Sequence, residues 1–187
     1  MLEEVINLDK KLFIFLNNLG SEPFDGIWLL VTKQFNWIPF FLLLLVILYK
    51  KIGTKQLVIV LLTVAALITF TNEITDLIKF SVQRIRPCND EELVGLIRIV
   101  KDSETFSYFS GHAANSMAAM MFVFLVLRSY YKYSYLIFLY PLIFAYSRIY
   151  LGLHFPLDII SGYIFGTLVG ILFYRLYLKI ISKYITS

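Results

Sequence analysis

Charged side chains are scarce in this chain. Asp, Glu, Lys and Arg make up 16% of its 187 residues, while 59% are apolar, and the mean hydropathy is +0.74. A water-soluble domain of this length carries about a quarter charged residues. The deficit excludes a surface wetted on all sides and implies one membrane-embedded domain over residues 1–187. Cysteine is all but missing: Cys88 stands alone, which excludes an internal disulfide and leaves the redox compartment unreadable. With two histidines and no cysteine pair, neither a zinc site nor another metal or cofactor is expected. Tracts rich in Gly, Pro or Ser are missing, as are internal repeats, so no linker divides the chain. The start, Met1-Leu2-Glu3-Glu4, lacks the basic and apolar regions of a signal peptide, so no cleavage is expected. The net charge of +4 sits at the ends of apolar runs, which favours membrane orientation and argues against nucleic-acid binding.

What is abundant is apolar sequence in lengths that suit a bilayer, about 20 residues per crossing helix. The expected fold is an all-α integral membrane bundle of five to six transmembrane helices with an N-terminal interfacial helix. Spans are placed at residues 24–49, 56–80, 110–128, 133–149 and 156–177. Lys33, Gln34 and Asn36, in the first of these, are expected to point into the bundle. Pro156 suits the first turn of a helix, where its missing N–H costs nothing. Residues 5–18 alternate apolar and polar at helical spacing; Asp9, Lys10, Lys11 and Asn17 argue that this segment lies on the membrane and does not cross it. With five spans, Lys50, Lys51 and Lys55, then Arg128 and Lys132, then Arg175, Lys179 and Lys183 fall on one face, which is expected to be cytoplasmic.

The polar residues that do not fit lipid fall in three places, all on the opposite face. On the second span Asn72, Asp76, Lys79, Gln83 and Arg86 lie within one arc, and Lys79 and Arg86 can bracket an anion. Alone, this also reads as Lys79 paired with Asp76 and Arg86 snorkelling. Ser110-Gly111-His112 opens the third span, where free N–H groups and the positive dipole end suit phosphate and His112 can protonate a leaving oxygen. Alone, it also reads as a capping serine beside a satisfied histidine. His154 and Asp158 are four apart, so the carboxylate can orient the imidazole, and Arg148 can grip phosphate with parallel donors. Alone, this reads equally as a structural His–Asp bond.

Together the three segments resemble the type 2 phosphatidic acid phosphatase family, membrane lipid phosphatases related to vanadium haloperoxidases. Lys79 through Arg86-Pro87 matches the family's Lys, six residues, Arg-Pro. Phe109-Ser110-Gly111-His112 matches its Pro-Ser-Gly-His with Phe in place of Pro. Ser147-Arg148, His154 and Asp158 match its third motif throughout. The motifs lie within residues 79–158. The resemblance implies that His154 attacks phosphorus to form a phosphohistidine, that Asp158 orients it, and that His112 protonates the departing oxygen. It implies that Lys79, Arg86, Ser110, Gly111 and Arg148 hold the phosphoryl oxygens without a metal.

The expected function is therefore a lipid phosphatase in a bacterial cytoplasmic membrane, its site facing the periplasm or exterior. The expected partners are a lipid phosphate and the bilayer. Undecaprenyl diphosphate is the first choice of substrate; phosphatidylglycerophosphate, phosphatidic acid and lipid A phosphates are the alternatives. A phosphotransferase of the same fold and a non-enzymatic scaffold are the competing classes, and the intact motif set opposes the scaffold. Gly162, Gly166 and Gly170 repeat at four-residue spacing and read as close packing inside the bundle or as a dimer interface, so the oligomeric state stays open. The loop of residues 88–109 either caps the site or connects two spans.

Overall fold

The computed structural model describes residues 2–184. Six α-helices follow in order: α1 (Leu2–Asn18), α2 (Asp25–Val31), α3 (Ile38–Val82), α4 (Gly111–Leu127), α5 (Leu139–Tyr150) and α6 (Pro156–Tyr184), with short 3-10 turns between them and no strand among the described residues. Among the described residues two stretches are long and apolar enough to cross a bilayer, Gln34–Leu93, which contains α3, and Pro156–Lys183; the shorter apolar helix Gly111–Leu127 lies between them in sequence. Exposed leucines, valines and isoleucines run along α3 and α6, among them Leu42, Leu62, Leu77, Ile164 and Leu168. Such a contiguous apolar exterior suits lipid.

Helix α4 is the centre of the bundle. It is apolar beyond His112, Asn115 and Ser116 in its first turns, caps its own start with Ser110, and packs on α3, α5 and α6. Its contact with α6 is close because α6 presents small residues. A Cβ built on Gly162 would come within 2.8 Å of the Ser110 carbonyl oxygen, one on Gly170 within 2.7 Å of the Ala118 oxygen, and one on Gly166 would fall on the Ala114 oxygen. The four-residue glycine repeat thus packs within the bundle.

Helix α3 departs from the expected pattern. Its 45 residues would span roughly 68 Å if straight, about twice a bilayer core. It bends at Gly53, whose φ of 71° and ψ of 176° belong to glycine alone. The expected turn between the first two spans is therefore a one-residue bend. Leu48 before it and Val60 after it meet in one core cluster. The first span also starts later than expected. Residues 24–49 are not one helix: α2 ends at Val31, a 3-10 turn follows at Gln34–Trp37, and α3 begins at Ile38. Lys33 and Asn36 are exposed and not turned into the bundle, whereas Gln34, also exposed, lines the cavity between the helices. The fourth segment begins as a 3-10 turn, Ser134–Phe138, before α5.

The basic clusters meet at one end. The Lys51 ammonium lies 5.0 Å from the Tyr131 ring centroid, and the Tyr177 hydroxyl reaches the Gln56 side chain at 3.5 Å. At the other end α1 docks with an inverted amphipathic pattern. Asp9, Phe13 and Asn17 face inward, while Val5, Leu8, Leu12 and Phe15 face outward. Asn17 donates to the carbonyls of Arg98, Ile149 and Tyr150 and accepts from the Arg98 N–H, which ties α1, the 88–109 loop and the end of α5 together.

The α4–α6 contact yields a test. Gly166→Leu inserts a side chain where no Cβ fits, so it should destabilise the bundle by at least the ~1–3 kcal/mol of an overpacked core. Thermal unfolding in detergent should show a clearly lowered Tm. Leu168→Ala, at an outward position on the same helix, should leave Tm nearly unchanged.

Candidate active site

Four connections converge at the end of the bundle opposite the basic clusters: the end of α3, the start of α4, the end of α5 and the start of α6. The turn from α5 to α6 is closed by the Arg148 carbonyl, which accepts from the Leu153 and His154 N–H groups, and by Gly152 at φ 85°. It is joined to the start of the 88–109 loop through Cys88 N–H donating to the Gly152 carbonyl. Ser110 is placed by its N–H donating to the Asp158 carbonyl at 3.0 Å, which sets the opening of α4 against the first turn of α6.

His154 is at the centre and is 1% exposed. Its Nε2 lies 3.1 Å from Arg86 Nη1, and its Nδ1 lies 3.4 Å from Asp158 Oδ2. A guanidinium can only donate, so these partners assign the proton to Nδ1 and leave a lone pair on Nε2. Burial pushes the His154 pKa well below 6.5, and the cationic Arg86, Arg148 and Lys79 push it in the same direction. The imidazole is therefore neutral at physiological pH.

Arg86 is fixed by the Thr105 carbonyl and hydroxyl and by the Leu153 carbonyl. Arg148 donates from Nη1 to the Thr32 hydroxyl at 2.6 Å, and its buried Nε has no partner. Lys79, half-buried in the last turn of α3, lines a cavity of about 550 Å³ together with Gly111 and His112. The His112 ring stacks on Phe144, with centroids 4.9 Å apart. A Cβ on Gly111 would touch only Thr75, at 3.4 Å; the protein's own packing does not demand glycine there. The sequence-predicted residues thus fall into two groups. His154, Asp158, Ser110, Arg86 and Arg148 form the buried wall, and Lys79, Gly111 and His112 face the cavity.

Two residues to which sequence reasoning gave no role are part of this wall. Arg84 donates to Asp158 Oδ1 at 2.7 Å and to Asp9 Oδ2 at 2.6 Å, and its guanidinium lies 4.0 Å from the Phe155 ring centroid. Asp9, 4% exposed, also accepts from the Leu157 N–H. Asp158 accepts from Phe155 N–H and Arg84 and faces His154, with no exposure of its own. A charged residue on the buried face of an otherwise amphipathic helix was the signal: Asp9 shares its face with Phe13 and Asn17. The 88–109 loop packs on this assembly. Val100 and Lys101 donate to the Leu151 carbonyl, while Val94, Leu96 and Ile99 stay exposed.

The PAP2 superfamily profile matches residues 56–182. The chain is 31% identical to a lipid A 4'-phosphatase of Bacteroides thetaiotaomicron, over 98% of this chain and 83% of that protein. It is 25% identical to a lipid A 4'-phosphatase of Porphyromonas gingivalis, over 98% and 79%. It is 27% identical to an undecaprenyl-diphosphatase of Sulfolobus acidocaldarius, over 91% and 79%. Among solved structures, a transmembrane PAP2 type phosphatidylglycerolphosphate phosphatase from Bacillus subtilis superposes with a TM-score of 0.70 at 18% identity, covering 95% of this chain and 88% of that one. LpxE of Aquifex aeolicus superposes with a TM-score of 0.63 at 21% identity, covering 90% and 95%; at these identities the two structures establish the fold. The chain belongs to the PAP2 superfamily, and its enzyme class is hydrolase acting on lipid phosphates.

The Arg84 geometry predicts a positioning effect. Arg84→Ala strands two buried carboxylates, which typically costs ~3–5 kcal/mol of stability. In enzyme that stays folded it should lower kcat 10- to 100-fold with KM little changed, and Arg84→Lys should restore part of kcat. Steady-state kinetics on detergent-solubilised protein, with Tm as the folding control, decide it. Equal losses for Ala and Lys would remove the positioning role.

Proposed function

We propose that this PAP2 superfamily member is a single-domain, metal-independent lipid phosphatase that works through a phosphohistidine on His154, with its site on the outer face of a bacterial cytoplasmic membrane. The observation that carries this reading is the environment of His154: a neutral buried imidazole, its Nδ1 toward Asp158, its Nε2 toward Arg86, beside an arginine nitrogen that lacks a partner. In the first step Nε2 attacks phosphorus, the ester P–O bond breaks, and His112 gives its proton to the departing alkoxide. In the second step water attacks the phosphohistidine, His112 takes the water's proton, the P–N bond breaks, and inorganic phosphate leaves with His154 restored. Lys79, Arg86, Arg148, the Ser110 hydroxyl and the Gly111 N–H stabilise the charge on the transferring phosphoryl group.

Five crossings are proposed: the two arms of α3, then α4, the Ser134–Phe138 turn with α5, and α6. In this arrangement the basic clusters lie in the cytoplasm and α1 rests at the outer interface beside the site. For the substrate, the two lipid A 4'-phosphatase relatives favour a phosphate monoester on an acylated sugar. The undecaprenyl-diphosphatase relative and the outward-facing site support undecaprenyl diphosphate as the second reading.

Mutation, inhibition, pH dependence and sidedness test the proposal. His154→Ala should abolish turnover and phosphoenzyme, with phosphate release from lipid A, undecaprenyl diphosphate, phosphatidylglycerophosphate and phosphatidic acid as the assay; normal turnover would end the mechanism. Chelator should leave the chemical step intact and vanadate should inhibit. Because the depressed His154 pKa keeps the nucleophile neutral until the pH falls well below 6.5, the acid limb of kcat/KM, which reports the free enzyme, should lie below that value. For sidedness, a cysteine at Glu92, with Cys88 removed, should react with an impermeant thiol reagent in spheroplasts, while one at Lys51 should not. Reversed labelling would place the site in the cytoplasm.

A further inference from the structure

The cavity beside Lys79 and His112 changes character with depth. On α3, Asn72, Thr75, Asp76 and Lys79 lie on one face and line it, and Asn115 lines it from α4. At 1.5 Å per residue, Asn72 lies roughly 10 Å along α3 from Lys79. Deeper still the lining is hydrocarbon, from Ile68, Val64 and Leu61 on α3 to Met120 and Val123 on α4. Between the phosphate-binding end and the apolar end there is thus a polar belt inside a membrane bundle, where polar groups are costly unless something satisfies them.

The protein satisfies the belt only in part: Asn115 Nδ2 donates to Asn72 Oδ1 at 2.6 Å. Among the described residues four buried side-chain atoms lack a partner: Thr75 Oγ1, Asn115 Oδ1, Arg148 Nε and Arg98 Nη1. The first three belong to the cavity wall or the phosphate wall. Thr63, Thr69 and Thr71 each return their hydroxyl to the carbonyl four residues back, at 2.7, 3.1 and 2.8 Å, as helical threonines do; Thr75 does not. Asp76, three residues from Lys79, is exposed and lines the cavity; its charge acts on the Lys79 ammonium, but no hydrogen bond holds its carboxylate among the described residues. A carboxylate one turn below a phosphate-binding lysine repels phosphate. It suits a ligand that brings hydrogen-bond donors.

We infer that Thr75, Asp76 and Asn115 form a subsite for the alcohol side of the substrate, and that this alcohol carries O–H or N–H donors next to the phosphate ester before its hydrocarbon begins. The inference rests on the phosphatase reading above. An acylated amino sugar and a glycerol headgroup with a free hydroxyl share this chemistry. A polyprenyl chain, which is hydrocarbon directly from the phosphate, and a diacylglycerol, whose esters only accept, lack it. The leaving alcohol would pass His112 into the belt while its tails continue along the apolar groove.

The test compares kcat/KM for four pure lipids in mixed micelles: an acylated glucosamine monophosphate, phosphatidylglycerophosphate, phosphatidic acid and undecaprenyl phosphate. The wild-type enzyme should favour the first two over the last two by at least 10-fold, and which of the first two is faster separates sugar from glycerol. Asp76→Ala and Asn115→Leu should each lower that ratio 10-fold or more, the scale of a lost hydrogen bond to a charged or buried group. A wild-type ratio near one, or a ratio that neither substitution moves, overturns the subsite while leaving the phosphatase standing. No phosphate release from any lipid by folded enzyme overturns both. The wild-type ratio needs no variant, so misfolding of a substituted chain does not rescue the idea.

Discussion

The arrangement at the site depends on one buried carboxylate. Asp158 has no exposure to solvent, and an isolated charge in such a place is prohibitively costly. Arg84 supplies the opposite charge at 2.7 Å, and Arg84 is in turn balanced by Asp9 at 2.6 Å. This demand recruits distant segments. Asp9 brings α1, Arg84 brings the turn after α3, and the Arg84 carbonyl accepts from Ser107 and so holds the end of the 88–109 loop. The Asp158 backbone carbonyl holds Ser110, and with it the start of α4. The ion-pair chain is thus the physical link between the N-terminal helix and the proposed nucleophile, and the α4 N-terminus is set by the same residue.

The second constraint is the bilayer. Apolar helices that must cross it have little reason to place polar groups inward unless a function or a partner requires them. Here inward polar groups are concentrated at one end. Some satisfy each other, as in the Asp9–Arg84–Asp158 chain, and some are left unsatisfied, as in Arg148 Nε, Thr75 Oγ1 and Asn115 Oδ1. The first kind builds a rigid wall. The second kind is what a phosphate and its alcohol would occupy. An apolar groove continues from Lys79 toward Leu48 and Val60, along which the proposed bilayer-bound substrate would reach both.

Much of this was legible in the chain itself. Charge scarcity and apolar run lengths implied a helical membrane protein, and the spacing of Lys79 and Arg86-Pro87, Ser110-Gly111-His112, and Ser147-Arg148 with His154 and Asp158 pointed to one family. These signals are local: hydropathy is set residue by residue, and a motif is a spacing. The bend at Gly53 was not legible, because a loop between two helices and a one-residue bend within one helix need the same glycine among the same lysines. Residues 24–37 misled for a related reason. Apolar runs flank the polar stretch from Thr32 to Asn36, but the helix does not continue through it; Lys33 and Asn36 mark the break, and Gln34 lines the cavity.

Composition and spacing determined the all-helical class, the family and the set of residues proposed to handle a phosphate, since each depends on side-chain chemistry and helical periodicity alone. Tertiary structure decided which of those residues share a wall and which face the cavity. It also decided that Arg84 and Asp9 support the His154–Asp158 pair, and that Thr75 Oγ1 and Asn115 Oδ1 are left without a hydrogen-bond partner. Asp9 and Asp158 are 149 positions apart and Arg84 lies between them. No periodicity relates them, because their contact follows from the need to neutralise buried charge once the helices have packed.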